Sequence, residues 1–447
     1  MHQRKSTNIG VKISSLKDEL RESPLRFAAI PITAYYPLVQ HDGKEALPVV
    51  RVGDRVEEGM LLAKATATQS INIHSAVPGV VRAIRDQVNH KGKKTSFIEI
   101  ATGGRFKVQS IETIRDYSSW SKQQILSEIA MRGLVDMGGS ALPLHSKWSV
   151  KEPVEVLIIE AVEQEPYLAS DYRLLVERMQ EIINGIVIAI RLLEPKKIVL
   201  SSYRSTLGII TELIASLQVL APSLEIEPLV LKERYPQGAA KLLVYYATGL
   251  RLGAKETPES VGCMLVNVAT FVAVYDALAF AKPLVERAIT ISGKGIVSPA
   301  NLIVKLGTPI KFLIEECGGL TQERVTLIAH GPMLGRMVID DQTPLTKEMS
   351  GILALLPKEV KPSRPTACIG CNACRKVCPL NLAPKEMYYS ILSDRPDKAI
   401  GYGLSECINC GVCSYNCPAR IELSHTFSCM QSQLEQEEQY SNQKRDK

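Results

Sequence analysis

No stretch of the chain reaches the roughly 18 consecutive apolar residues that a membrane-spanning helix requires. The most apolar run, Val154 to Ile159, is only strand-sized, so any membrane contact is expected through partners. The apolar segment of a secretory signal is missing too. The first ten residues, MHQRKSTNIG, are polar, and the chain is expected in the cytosol. Neither sign of charge dominates, with 53 Lys and Arg against 47 Asp and Glu, and no basic block announces a nucleic-acid partner. The 447 residues and 45% hydrophobic content are enough for several cores, which suggests roughly three or four domains.

Cysteine is unevenly spread: eight of the eleven fall between Cys368 and Cys417. A cytosolic chain keeps its thiols reduced, so clustering speaks for ligation rather than disulfides. Cys263, Cys317 and Cys429 stand alone and are expected as small buried hydrophobes. The eight form two runs, Cys368-Ile-Gly-Cys371-Asn-Ala-Cys374-Arg-Lys-Val-Cys378-Pro379 and Cys407-Ile-Asn-Cys410-Gly-Val-Cys413-Ser-Tyr-Asn-Cys417-Pro418. Each is C-x2-C-x2-C-x3-C-P, the spacing with which one loop holds three corners of a 4Fe-4S cubane while the fourth cysteine serves the other cluster. The expected ligand sets are therefore Cys368, Cys371, Cys374 and Cys417 for one cluster, and Cys378, Cys407, Cys410 and Cys413 for the other. Zinc ribbons use two pairs per metal and lack the trailing Cys-Pro. Two clusters sharing ligands in this way suit the passage of single electrons. Around the first run lie Lys358, Lys361, Arg364, Arg375, Lys376 and Lys385, which either steer an acidic donor such as a ferredoxin or form a solvated face.

Upstream, Pro48 to Ile100 alternates apolar and polar residues between the turns Gly53-Asp54 and Pro78-Gly79, which reads as all-β. It resembles the lipoyl or biotinyl hammerhead, a small barrel sandwich. The tip that would carry a modifiable lysine is Ala67-Thr68-Gln69 here, so no swinging cofactor is expected. From Gln123 strands and helices alternate: a strand at Val154–Ile159, a helix capped by Ser170 and running to Leu193, a strand at Ile198–Ser201, a helix at Ser205–Leu217 and a strand at Leu224–Leu231. That order predicts a Rossmann-like parallel sheet open to a ligand at its carboxyl edge. Strands around one short helix between Arg287 and Ile328 suggest a β-grasp module, and the three prolines of Pro357 to Pro365 a linker.

The expected fold is multidomain, mixing α/β and α+β parts. Its segments are an N-terminal extension at 1–36, the barrel-sandwich hammerhead at 37–110, the Rossmann-like domain at 115–280, the β-grasp module at 284–345, a helical ferredoxin-like dicluster domain at 357–430 and a fraying polar tail at 431–447.

This order of modules, with PLVQHDG at Pro37–Gly43, EPYLASD at Glu165–Asp171, YPQGAAKLL at Tyr235–Leu243, ERAITISG at Glu286–Gly293 and GPMLG at Gly331–Gly335, resembles the RnfC family of the Rnf electron transport complex. The β-grasp module then corresponds to an SLBB-like domain. The resemblance implies a peripheral subunit on the cytoplasmic side of the membrane. Such a subunit is akin to the flavoprotein subunit of complex I, oxidises NADH through FMN, and passes electrons to its clusters and membrane partners of an oxidoreductase or translocase complex. In such a pocket Gly138 and Gly139 would face the flavin phosphate, with Glu163, Glu165 and Asp171 on the nucleotide side.

The chain departs from the family at that pocket. Asp136 and Ala141 stand for two glycines of the loop, Glu160 and Ala161 for an asparagine and a glycine, Ala240 for an acid, and His330 for a glycine. Two readings stay open. Either FMN and NADH bind in an altered way, or the flavin site has decayed and the protein is an iron-sulfur relay fed by another carrier. The latter reading includes a soluble carrier feeding a cytosolic reductase.

Overall fold

The computed structural model describes residues 9–104, 114–139, 141–151, 153–360 and 364–445, those after 438 by backbone alone. The chain divides into two compact units. One comprises residues 15–228 and 262–360, the other 1–14, 229–261 and 361–447.

In the larger unit, the alternation read between Pro48 and Ile100 folds as two small sheets. One has the order Thr33–Pro37, Lys94–Thr102, Gly79–Val88, Arg55–Val56, the other Leu47–Pro48, Leu61–Lys64, Ile73–His74. Inward residues such as Tyr36, Leu62, Ile73 and Ile98 are fully buried between them, as period-two patterning requires. The Ala67–Gln69 tip falls between Leu61–Lys64 and Ile73–His74. Beside this sandwich Lys347 is only 2% exposed, and its Nζ donates to the carbonyls of Gly133 at 2.6 Å and Asn72 at 3.1 Å. Burial without a carboxylate partner in that shell pulls its pKa down to about 7.

A second layer is a four-stranded sheet ordered Glu225–Leu231, Lys197–Tyr203, Val156–Glu160, Cys263–Asn267. The last two strands are parallel in register, with Glu160 opposite Asn267, and Lys197–Tyr203 is parallel to Val156–Glu160. The chain steps outward from Val156–Glu160 on one side and returns on its other side. That places a topological switch point at the carboxyl ends of Val156–Glu160 and Cys263–Asn267, where open parallel sheets bind ligands. The fourth strand and the Val268–Phe280 helix behind it escaped the sequence reading.

The helix expected from Ser170 to Leu193 is two helices, Ser170–Glu177 and Met179–Leu193, broken at Arg178, where φ is −127°. No proline or glycine marks the break. Arg178 instead turns its guanidinium to Glu181 at 2.6 Å and Asp276 at 3.8 Å. Ser170 does not cap the first helix either: its hydroxyl donates to Glu163 Oε1 at 3.3 Å.

The third sheet is six-stranded, in the order Leu25–Phe27, Ala300–Lys305, Glu286–Ser292, Gly351–Leu355, Thr326–Ala329, Arg336–Met337, with the Ile310–Glu316 helix between its strands in sequence. It draws a strand from the segment read as an N-terminal extension and another from beyond residue 345. Both are short, and they pair with distant strands that give no local signal.

In the smaller unit, Val11 and Tyr235 exchange backbone hydrogen bonds of 2.9 Å. The cysteine runs are held by the helices Ala373–Val377, Pro384–Leu392, Pro396–Gly401, Val412–Tyr415 and Leu423–Arg445, around Met387, Leu404, Ile421 and Phe427. The tail expected to fray from residue 431 continues this last helix to Arg445. Gln431 anchors it, its Nε2 donating to the carbonyls of Leu404 at 2.7 Å and Cys407 at 3.1 Å. Cys263 and Cys317 are buried as expected, whereas Cys429 is exposed, with His425 Nε2 3.7 Å from its sulfur.

The Met179–Leu193 helix reaches the Val268–Phe280 helix at Gly185, where an added Cβ would lie 2.1 Å from the Phe271 carbonyl oxygen. Gly185→Ala is expected to destabilise the protein by roughly 2–3 kcal/mol through overpacking. Urea unfolding of the iron-loaded protein checks this, and an unchanged midpoint would contradict the close approach.

Candidate iron-sulfur and switch-point sites

The two cysteine runs adopt the same backbone twice. In the first, Gly370 and Asn372 flank Cys371 with φ of 71° and 55°; in the second, Asn409 and Gly411 flank Cys410 with φ of 50° and 78°. Glycine and asparagine are the residues that take this left-handed geometry most readily, and the loop needs it to turn successive thiols to one side. After each Cys-Pro the chain turns through a further left-handed residue, Asn381 or Arg420.

These loops bring the thiols together across the runs. Cys368, Cys371, Cys374 and Cys417 line one small cavity, and Cys378, Cys407, Cys410 and Cys413 line a second. Among the described residues no three Cys, His, Asp or Glu side chains converge as a single-ion site. Four thiols around one zinc, with bonds of about 2.3 Å, would converge tightly. A four-iron cage, by contrast, keeps its corner ligands apart. The second cavity has the more buried thiols. Cys410 and Cys413 are buried, and burial pushes the thiol of Cys407 up to about 11, that of Cys410 to about 12 and that of Cys413 higher still. Cys371 of the first cavity is exposed. The first cavity's one charged lining residue is Lys385. Of the other basic residues read around this run, Lys361 lies outside the described residues.

The second candidate site is a cleft of about 270 Å3 at the switch point, lined by Gly138, Gly139, Glu160, Glu163, Glu165, Asp171, Asn267 and His330, among others. All five pocket residues expected from the sequence therefore meet in one cavity. Gly139 has φ of 103° and open space where a Cβ would stand, while a Cβ on Gly138 would come within 2.8 Å of Glu160 Oε2. Ala141 and His330, each standing for a family glycine, still take left-handed backbone, with φ of 48° and 72°. A residue with a Cβ in that geometry carries strain that glycine would not.

Asp136 does not project its charge at a ligand. It is buried, ion-paired to Lys147 Nζ at 2.5 Å, and accepts from Thr270 Oγ1 at 3.2 Å. Glu163 Oε1 accepts from Asp171 N at 3.2 Å, and the Glu163 carbonyl accepts from Lys17 Nζ, a side chain 146 positions away in sequence that no motif announced. Asp171 Oδ2 accepts from Asn267 Nδ2 at 2.8 Å, while Asn267 Oδ1 caps its helix at Ala269 N. Glu165 Oε2 accepts from Met333 N at 2.9 Å and so clasps the Gly331–Gly335 loop over the cleft. Burial is the largest cause raising Glu160 well above the ordinary carboxylate range, helped by the charges of Asp136 and Asp171. Burial likewise raises Glu163 to about 7, against the pull of Lys17, and raises Asp171. A protonated Glu160 is a neutral donor and acceptor, and in that respect it resembles the asparagine it replaces.

The Tyr235–Gly238 turn and Ala240 belong to the other unit. Residue 140, within the glycine loop, lies outside the described residues.

A parallel sheet with a glycine-rimmed cleft at its switch point, together with two thiol-lined cages, defines a multidomain iron-sulfur redox protein. Family models agree: the RnfC barrel sandwich hybrid domain matches residues 5–105, the Nuo51 FMN-binding domain 129–276, the SLBB domain 288–336 and the 4Fe-4S dicluster domain 363–418. The chain is 34% identical over 397 residues to the C subunit of the proton-translocating ferredoxin:NAD(+) oxidoreductase complex of Clostridium ljungdahlii, covering 88% of this chain and 85% of that one. It is 33% identical to the C subunit of the ion-translocating oxidoreductase complex of Rhodobacter capsulatus, covering 97% and 84%. To the corresponding protein of Pasteurella multocida it is 31% identical, covering 94% of this chain and 50% of that one. The chain belongs to the RnfC family, the C subunits of ion-translocating oxidoreductase complexes. It spans about half the length of some curated relatives it matches.

Because the folded Glu163 holds its proton to about pH 7 and an unfolded one to about 4.5, its contribution is present below pH 4.5 and lost as pH rises through 7. Glu163→Gln is expected to gain stability relative to the parent over that window, by roughly 2 kcal/mol after discounting for solvent in the open cleft. Urea midpoints of both proteins at pH 5 and pH 8 check this, and an equal difference at the two values would contradict it.

Proposed function

We propose that the protein transfers electrons through two 4Fe-4S clusters as a peripheral subunit of an Rnf-type membrane complex, working between NADH or a reduced carrier and partner subunits on the cytoplasmic side. The observation that carries this is the sharing of thiols: each cavity takes three cysteines from one run and one from the other. Ligand exchange of that kind holds two cubanes close together, which suits single-electron passage. The relatives' names, C subunits of ion-translocating and ferredoxin:NAD(+) oxidoreductases, support the same reading.

The switch-point cleft supports an FMN and NADH site. Gly139 leaves room for close approach of a phosphate, and Asn267, Asp171, Glu163 and Glu160, whose carboxyl holds its proton well above the ordinary range, offer partners to ribityl or ribose hydroxyls. FMN, when bound, accepts the two electrons of a hydride and releases them singly. The chain's own part is to hold Asp136 neutralised on Lys147 and the Gly331–Gly335 loop closed on Glu165.

Paired substitutions test the ligand sets. In anaerobically prepared protein, Cys417→Ala should lower iron from about eight to about four atoms per chain. Adding Cys371→Ala should leave about four, whereas adding Cys410→Ala should remove nearly all iron. The reverse order of losses would show that each run serves its own cluster. Releasable FMN should accompany the iron-loaded parent, and its absence there would leave the relay reading.

A further inference from the structure

The two cages differ in their access to solvent. Cys371 is exposed and its three companions half-buried, whereas Cys410 and Cys413 of the other cage are buried. A one-electron exchange with a separate protein needs a short gap, and among the described residues the first cage, through Cys371, is the more open to the surface. The surface there is apolar at its centre. Ile369 is 70% exposed beside Cys368, and Tyr389 and Leu392 are 47% and 62% exposed, one turn apart on the Pro384–Leu392 helix. The Tyr389 hydroxyl lies near enough to Cys368 to feel its thiol, so the patch adjoins the cage itself. Beside it Arg375 and Lys376 follow Cys374 in exposed positions, while Lys385, which lines the cavity on the same helix face, pairs with Glu386 at 3.2 Å.

Resting on the electron-transfer function argued above, we propose that the Cys368, Cys371, Cys374 and Cys417 cage is the outer terminus of the pair. On this account Ile369, Tyr389 and Leu392, ringed by Arg375, Lys376 and Lys385, form the docking face for an acidic one-electron carrier protein. Charge complementarity selects the partner: a basic rim raises the encounter rate of an acidic surface, and a small apolar centre excludes water in the brief complex. Transient redox contacts of this kind are small, below about 1,200 Å2. The exchange balances as one electron leaving the carrier's reduced centre and one entering the cage, with no bond or proton moved.

Stopped-flow oxidation of a chemically reduced, acidic ferredoxin by the iron-loaded full chain tests the proposal. Arg375→Glu combined with Lys376→Glu should slow the second-order rate about tenfold at low salt, the gap closing toward about 0.5 M salt. Ile369→Glu should slow it at every salt concentration, and Lys255→Glu, in an exposed ion pair with Glu438, should leave it unchanged. Rates insensitive to the rim and centre substitutions, in proteins with full iron that dithionite reduces normally, would overturn the docking face alone. Clusters that dithionite fails to reduce would overturn the electron-transfer reading on which it rests.

Discussion

Two thiol cages, each completed by a cysteine from the other run, are the constraint on which the smaller unit depends. Around the cages the cysteine runs pack on a small core of Met387, Leu404, Ile421 and Phe427. Buried thiols with raised pKa values bind protons rather than carry charge, so metal must displace those protons as it ligates. Folding of this unit and cluster assembly are therefore linked. The Gly and Asn residues at left-handed positions keep the loops ready for that step with little strain.

The cleft of the larger unit follows a different logic, in which acids are gathered and then neutralised. Asp136 is neutralised by Lys147, and Glu163 is approached by Lys17, while Glu160 and Asp171 hold their protons more tightly than free carboxylates. Four fully ionised acids would repel a phosphate, and the upward shift of Glu160, Glu163 and Asp171 together with the Asp136–Lys147 pair reduces that repulsion. The departures from the family pattern thus compensate one another: Asp136 arrives with a partner, Glu160 can be neutral, and Ala141 and His330 keep glycine-like backbone.

How much of this was legible in the sequence depended on distance along the chain. The cysteine runs were readable because each packs its ligands into eleven residues at fixed spacing. The barrel sandwich and the first three strands of the parallel sheet were readable from periodicity. The pocket acids between Glu163 and Asp171 also sit in one short stretch. Lys17 was not picked out and Asn267 was given no role in the pocket, because their roles come from contacts with Glu163 and Asp171 that only the fold creates. The break at Arg178 carries no breaker residue, and the glutamine-rich tail reads as disordered until Gln431 finds the carbonyls of Leu404 and Cys407.

The most direct measurement of the central claim is low-temperature EPR of the anaerobic protein through a reductive titration. The account predicts the signal of one reduced cubane first, then a broadened, spin-coupled signal as its neighbour is reduced, because crossed ligands hold the two clusters close. Two signals that simply add without interacting, or no reducible iron signal at all, would contradict it.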